Sequence, residues 1–276
     1  MIAIDGDQMI YASGFAAEGE PLSHALHLIK KKVEQIKLDC DDTDYQIFIK
    51  GKGNFREEVP EYKGTRSARK PSHFADITRY MIEVLGAKQV DGMEADDKVS
   101  ILLYQDYLEH KDPDECRVIV SSPDKDLNNT PGWHYNPTKR LLTWISELQA
   151  TRHFCYQMLM GDTVDNIKGL PSLPEEIKKL YGIRAQGVGA ATAKKLLANV
   201  ETAEDSLAFV CYLYHHWGAD QGYDEATTHD YLQEQGMLLW MLRDYEEVFS
   251  TYMIEDSYAE GYRQFTEGSP FKPGLK

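Results

Sequence analysis

No apolar run in this sequence approaches the ~20 residues that a helix needs to cross a bilayer, so no membrane span is expected. Cysteine is scarce: four occur in 276 residues, at Cys40, Cys116, Cys155 and Cys211, with no C-x-x-C pair. That excludes a disulfide framework and a zinc ribbon, and predicts reduced thiols in a cytoplasmic protein, with neither zinc nor disulfides. The opening Met1-Ile2-Ala3-Ile4-Asp5 lacks the basic start and apolar stretch of a signal peptide, and reads as a strand that begins at once. Internal repeats and low-complexity tracts are missing as well. Positive charge is in short supply: 30 Lys+Arg stand against 45 Asp+Glu, a formal net charge of −15. Taken globally, that argues against a nucleic-acid partner. The deficit is local, however. From Glu201 to Lys276 fifteen acidic residues face four basic ones, which is −11 of the −15, whereas from Lys50 to Lys70 seven basic residues face three acidic ones.

With 42% hydrophobic residues, the chain can bury a core of one large domain or two smaller ones. Its most distinctive stretch is Gly92-Met93-Glu94-Ala95-Asp96-Asp97-Lys98-Val99. The apolar spacing Val99, Leu102, Leu103, Tyr107 predicts a helix that places Asp96 and Asp97 in its first turn. A single acid there serves the helix dipole. Three acids within four residues either form a solvated, over-charged helix start or surround a cation. Hard divalent ions take oxygen ligands and keep several waters, so they need few carboxylates, drawn from several places.

Other acids recur where strands are expected to end. Ile2–Ile4 leads to Asp5-Gly6-Asp7, which is a plain turn or a site at the end of the first strand. Arg117–Ser121 leads to Asp124 and Asp126, whose i, i+2 spacing puts both on one side of an extended turn. A helix opened by the capping box Ser146-Glu147-Leu148-Gln149 runs to about Met160 and then meets Asp162 and Asp165, which share a face if helical. The remaining elements are helices over 21–39 and 72–85, strands at 45–49 and 88–90, a strand or hairpin arm at 141–144, helices over 203–214 and 228–242, and a loose tail from Gly268. Alternating strands and helices predict an α/β fold with a central, mostly parallel sheet flanked by helices. A parallel sheet brings the strand ends, and their acids, to one edge. No histidine is placed to join them, which favours Mg2+ or Mn2+ over zinc at that edge.

Two further stretches carry cations. The segment 50–72 interleaves Lys52, Arg56, Lys63, Arg66, Arg69 and Lys70 with Phe55 and Tyr62. It is either a basic surface loop or a seat for phosphates with rings to stack on bases. Gly187-Val188-Gly189 precedes an apparent helix carrying Lys194 and Lys195, which is a Gly-rich connection or a phosphate seat at a helix N-terminus.

Taken in order, these residues resemble the flap-endonuclease-like 5′-nuclease family, which includes phage 5′→3′ exonucleases and the 5′-nuclease domain of bacterial DNA polymerase I. The matching stretches are Ile4–Asp7, Glu94–Asp97, Ser122–Asp126, Met160–Ile167, the arch segment Pro60–Arg66 and Gly187–Ala193. The resemblance covers residues 1 to about 200. It implies a PIN-like 5′-nuclease core over 1–160, with a basic arch at 50–72, and a helix–three-turn–helix and C-terminal helical subdomain over 161–276. It implies Asp5, Asp7, Glu94, Asp96, Asp97, Asp124, Asp126, Asp162 and Asp165 as direct or water-mediated ligands of two Mg2+ or Mn2+ ions. Lys63 and Arg66 would stand near the scissile phosphate. Lys52, Arg56, Tyr62, Arg69, Lys70, Gly187, Gly189, Lys194 and Lys195 would contact DNA, with a K+ ion on the carbonyls of the helix–three-turn–helix.

The activity so implied is a Mg2+-dependent 5′→3′ exonuclease with 5′-flap endonuclease activity in DNA replication, repair or primer removal. It would be a monomer in the cytoplasm, of the host cell if phage-encoded, with a replication protein as a candidate partner and RNA primer–DNA hybrid as a second substrate. Two rivals stand beside it: an RNase H-type nuclease on RNA–DNA hybrids, and a non-catalytic structure-specific DNA-binding protein. The chain departs from the family in two places. No acid follows the second strand at Ile49-Lys50-Gly51-Lys52, where Asp7 is the candidate substitute, and a run at 172–186 separates two glycine turns that the usual compact motif holds together.

Overall fold

The computed structural model describes residues 1–65, 69–246, 249, 255–268 and 270–271. It divides into two compact units. The first comprises Met1–Glu58, Ser67–Ser146 and Met241–Glu247; the second comprises Val59–Arg66, Glu147–Trp240 and Val248–Lys276. The expected break at 160 therefore falls before Glu147, and the basic arch segment is shared between the units.

The first unit is built on one six-stranded sheet. Its strands are β1 (Ile2–Asp5), β2 (Tyr45–Lys50), β3 (Lys88–Val90), β4 (Ile119–Ser121), β5 (Gly132–Asn136) and β6 (Leu141–Ile145), in the order β3-β2-β1-β4-β5-β6. All neighbours pair parallel except β5 with β6, which form an antiparallel hairpin. The fold is thus the mixed α/β sheet expected, with β5 as a strand that its short, His- and Asn-containing sequence did not signal. Strand alternation sorts the core onto two faces. Ile2, Ile4, Ile47 and Ile49 point to one face, where they meet Met9 and Ile10 of α1 (Gly6–Ala16), Ile29 and Val33 of α2 (Leu22–Asp39), and Ile77 and Met81 of α3 (Phe74–Glu83). Ala3, Phe48 and Val120 point to the other face, against Val99 and Leu103 of α4 (Ala95–His110).

Helix α1 begins on the residue after β1, where the sequence reads as a plain turn or a site at the strand's end. Gly6 makes this possible. A Cβ there would stand 2.6 Å from Ile49 Cγ2 and 2.7 Å from the Phe48 carbonyl oxygen, so only glycine lets the helix start this close to β2.

The second unit is helical. It contains α5 (Glu147–Met160), α6 (Glu175–Leu180), α7 (Ala190–Leu196), α8 (Ala203–Asp220), α9 (Glu225–Leu239) and α10 (Glu255–Thr266). Helix α8 is its core, with Phe209, Tyr212, Leu213 and Tyr214 all buried. Tyr214 Oη donates to the Met158 carbonyl of α5 at 2.7 Å, and Phe154 of α5 meets Trp240 edge-on at 4.9 Å between ring centres. The run at 172–186 supplies α6, an element read from sequence only as an interruption. Among the described residues no helix is long and apolar enough to cross a membrane. The expected loose tail from Gly268 lies mostly outside the described residues.

Candidate metal and nucleic-acid site

Because β1 and β4 are neighbours while their crossovers run to opposite sides, the sheet's strand order reverses between them. Open α/β sheets bind ligands outside the C-terminal ends of the strands at such a switch point. Asp5 ends β1 and Ser122–Asp124 follows β4 at that place. Asp5 is 5% exposed; its carboxylate accepts from Ser122 Oγ at 2.9 Å and from the Asp7 N–H at 3.2 Å. Ser122 in turn accepts from the Asp124 N–H at 3.1 Å, and Asp124 from the Asp126 N–H at 3.0 Å. Asp126 also pairs with exposed Lys125 at 2.8 Å. Asp7, in the first turn of α1, accepts the Lys50 N–H at 3.1 Å, so a carboxylate is held at the end of β2 although β2 is followed by none of its own. Ser122 and the Lys50 amide are partners that the acid pattern alone did not reveal; a hydroxyl two residues before Asp124 was the available signal.

The acids of α4 separate into two kinds. Asp96 is half-buried, and Glu94 stands at the N-cap of the helix, 7% exposed. Asp97 is fully buried and committed: Arg56 grips both its oxygens at 2.6 and 2.8 Å, and it also accepts the N–H groups of Glu94 and Leu242, each at 3.1 Å. Asp97 is thus an anchor for α4, with protein donors on both of its oxygens. Arg56, 1% exposed, is its buried counter-ion and is not a cation facing DNA.

The remaining carboxylates strain against one another. Burial and the charges of Asp7 and Asp124 push the Asp5 carboxyl up to about 7. Burial and the charges of Glu94 and Asp97 hold Asp96 well above the ordinary carboxylate range, and Asp5 adds to the effect. Such a cluster calls for protons or cations. The donor set is carboxylate oxygen throughout, which fits a hard divalent ion. Among the described residues no three of these carboxylates bring ligand atoms within 4.8 Å of one another. That is wider than one ion's inner shell and suits ions that complete their coordination with water. Metal binding must displace the Asp5 proton, so affinity for Mg2+ or Mn2+ is expected to rise steadily from about pH 5.5 and level off above about pH 7.5. Calorimetric titrations in buffers of different ionisation enthalpy measure the released proton; a pH-independent affinity would contradict the arrangement.

In the second unit, Asp162 and Asp165 lie on a hairpin-like turn after α5 instead of on a helix. Asp162 pairs with Ile167 in a single antiparallel bridge, and its carboxylate accepts the Val164 N–H at 2.8 Å. The turn is set by Gly161 at φ +71°, where a Cβ would lie 2.3 Å from the Ile167 carbonyl oxygen. Gly161→Ala is therefore expected to cost about 2 kcal/mol or more, read as a lower chemical-denaturation midpoint. Asp165 is buried; its backbone carbonyl accepts the Lys63 N–H at 2.8 Å, and its carboxylate lies 3.9 Å from Lys63 Nζ and 3.5 Å from Tyr62 Oη. Tyr62, 9% exposed, is thus a packed residue and not the open stacking ring expected, and Lys63 rests over its face. Gly189 caps α7, Lys194 is exposed, and Lys195 Nζ folds back onto the Gly182 carbonyl.

Other predicted contacts are on the surface of the first unit. Lys52 and Lys70 are exposed, with Lys70 Nζ 4.4 Å from the centre of the Phe74 ring. Arg69 is exposed beside Phe15 and 3.3 Å from Glu18. Arg66 lies outside the described residues.

No family model matches the chain. A DNA polymerase I from Bacillus caldotenax is 27% identical over 237 residues, which is 76% of this chain and 24% of that protein. A 5′-3′ exonuclease from Buchnera aphidicola subsp. Schizaphis graminum is 29% identical over 195 residues, 63% of this chain and 66% of that protein. The chain thus spans about a quarter of the first and just under two thirds of the second. Among solved structures, a mutant T5 5′-exonuclease superposes with a TM-score of 0.55 at 14% identity, covering 97% of this chain and 96% of that one. A T5 5′-exonuclease described as binding divalent zinc ions gives 0.56 at 16% identity, covering 97% of each. The chain is thus similar in sequence to a DNA polymerase I and a 5′-3′ exonuclease, and it shares the fold of T5 5′-exonuclease.

Proposed function

We propose that this protein is a metal-dependent 5′→3′ exonuclease with 5′-flap endonuclease activity on DNA. The observation that carries the reading is the set of mutually repelling carboxylates, Asp5, Asp7, Glu94, Asp96 and Asp124, at the C-terminal edge of the parallel strands. Asp5, Asp96 and Asp124 would hold two Mg2+ or Mn2+ ions, with Asp7, Glu94 and Asp126 acting through water. When bound, such ions lower the pKa of an attacking water and offset charge on the leaving oxygen. The chain's own part is to fix those ligands. Ser122 orients Asp5, the Lys50 amide orients Asp7, and the Arg56–Asp97 pair pins the first turn of α4.

Lys63 and Arg66 are proposed as cations for the cleaved phosphate, and Asp162 and Asp165 as further carboxylates, on the motifs that they share with the family. Lys52, Arg69, Lys70 and Lys194 are proposed as backbone contacts, each sequence-independent and salt-sensitive. The turn Gly187–Gly189 would grip duplex DNA, with K+ on its carbonyls. The substrate proposed is a duplex with a free 5′ end, nick or flap, cut by a monomer in the cytoplasm; an RNA primer–DNA hybrid and a replication protein partner belong to the same proposal.

The test is an end-labelled flapped duplex with Asp124→Ala. The expected result is short 5′ products with Mg2+ and the native protein, and a loss of about a hundredfold or more in the variant with its circular dichroism unchanged. Full activity in the variant, or cutting of an RNA–DNA hybrid by a native protein that leaves the DNA flap intact, would overturn the reading. Binding without cleavage would favour the non-catalytic alternative.

A further inference from the structure

A second cluster of metal-type donors lies on the first unit, away from the carboxylate edge. Helix α4 starts at that edge and runs back across the sheet, so its last turn sits where β4 begins. Asp96 and His110 are fourteen residues apart on this helix, which is about 20 Å at 1.5 Å per residue. There Asp106 and His110, at i and i+4, share a helix face. The loop that follows α4 returns Cys116 to the same place. One donor atom from each of the three lies within 4.8 Å of the other two, and all three residues are half-buried.

We propose that Asp106, His110 and Cys116 form a metal site of a different kind, one that takes Zn2+ or a similar borderline transition ion. The donors are an oxygen, an imidazole nitrogen and a sulfur, a set that suits Zn2+ or Co2+ and not Mg2+. Asp106 Oδ1 and His110 Nδ1 are 3.3 Å apart. Two ligands at about 2.0 Å from a tetrahedral ion stand about that far from each other. The carboxylate is also aimed in advance. Asp106 Oδ2 accepts the N–H groups of Arg117 and Val118 at 2.7 and 2.9 Å, which leaves Oδ1 facing the imidazole. Metal-ligating carboxylates are held by this sort of outer support.

Charge favours a cation as well. The site lies at the negative end of the α4 dipole, and the loop between His110 and Cys116 carries Asp112, Asp114 and Glu115 against Lys111 alone. A simple helix-end cap explains the Asp106–His110 contact, since His110 Nδ1 also lies 3.0 Å from the Asp106 carbonyl. It leaves Cys116 outside the cap, for its sulfur makes a long 3.9 Å contact to that same carbonyl and a backbone hydrogen bond with Asp112. The ion would tie the end of α4 to the entry of β4 and keep a fourth position for water. The absence of a C-x-x-C pair predicts thiols uninvolved with metal, whereas the Asp-x-x-x-His spacing on a helix, with Cys six residues on, is a pattern that favours a mixed-donor site.

Cobalt separates this site from the carboxylate edge, because only a thiolate ligand gives a sulfur-to-cobalt charge-transfer band in the near ultraviolet. Co2+ added to the reduced full chain should produce that band with one equivalent, and Zn2+ should abolish it. Cys116→Ser should lose the band, His110→Ala should weaken Co2+ binding tenfold or more, and Cys40→Ser should keep both. Absence of the band at stoichiometric Co2+, or its persistence in Cys116→Ser, overturns the proposal. Should Cys116→Ser fail to fold, alkylation of the native chain decides. Zn2+ is expected to slow modification of Cys116 tenfold or more, mapped by mass, and an unchanged rate overturns the site.

Discussion

Asp5→Asn is expected to destroy cleavage while making the metal-free protein more stable. The two effects have one cause. Asp5 is buried beside Asp7 and Asp124, and its carboxyl is pushed up to about 7 from an ordinary 3.8. In the unfolded chain the group ionises near its ordinary value; in the folded chain it keeps its proton until about pH 7. Folding therefore takes up a proton between those limits, and the stability of the native protein falls as pH rises through that window. Above about pH 7 the full penalty is present, on the order of 4 kcal/mol for a shift of this size. Asparagine removes the charge; its Oδ1 can still accept the Asp7 N–H, and its amide NH2, standing where the second oxygen was, can donate to Ser122 Oγ. The variant should thus unfold several degrees higher than the native protein at about pH 8 without metal, and no higher at about pH 4.5. Mg2+ should raise the melting temperature of the native chain and leave the variant almost unmoved. Cleavage should drop about a hundredfold or more, since an amide cannot replace a carboxylate ligand. Scanning calorimetry at the two pH values, with and without Mg2+, reads all of this; a variant less stable at both would contradict it.

Arg56→Ala should be the most destabilising change in the basic segment. Removing one partner from a buried pair leaves the other charge unpaired, which costs about 3–5 kcal/mol. Here the stranded group is Asp97, fully buried and holding the start of α4 and the Leu242 amide. Loss of Arg56 would therefore loosen the turn that carries Glu94 and Asp96. The expected readout is a large drop in the urea midpoint, with activity falling further than the folded fraction because the turn that carries Glu94 and Asp96 is loosened. Arg56→Lys should recover part of the stability and leave the salt dependence of DNA affinity unchanged. Lys52→Ala and Lys70→Ala should do the opposite, with stability kept and the log–log salt slope reduced by about 0.9 each. A slope change in Arg56→Lys would mean that this guanidinium touches phosphate after all.

These two residues mark where sequence reading succeeds and where it stops. The place of Asp5 in the fold was legible because a strand's end in a parallel sheet is a defined place, and the same logic put Glu94, Asp96, Asp124 and Asp126 beyond strand ends; their role as ligands is the proposal. Arg56 was not, because a cation in a basic run looks alike whether it meets solvent or a buried acid forty-one residues on. Helix α1 was missed since its start, Gly6-Asp7, has the composition of a turn; burial of Met9 and Ile10 against the sheet overrides that preference. Strand β5 hid behind Gly132 and Asn136, and only its pairing with β4 and β6 reveals it. Asp162 and Asp165 were placed correctly after α5, but Gly161 turns the chain and replaces the helical face that their spacing suggested. Tyr62 shows the same limit as Arg56, since an aromatic ring in a loop carries no mark of whether it packs or waits for a base.

The claim underlying all of this is that acids from three separate strand ends of the first unit serve one set of divalent ions. Crystals of the metal-free protein soaked in Mn2+ and measured at the manganese edge test it most directly. Anomalous peaks lodged between the carboxylates of Asp5, Asp96 and Asp124, absent in Asp5→Asn crystals, are the result expected. Peaks elsewhere only, with those carboxylates turned apart into bulk water, would contradict it.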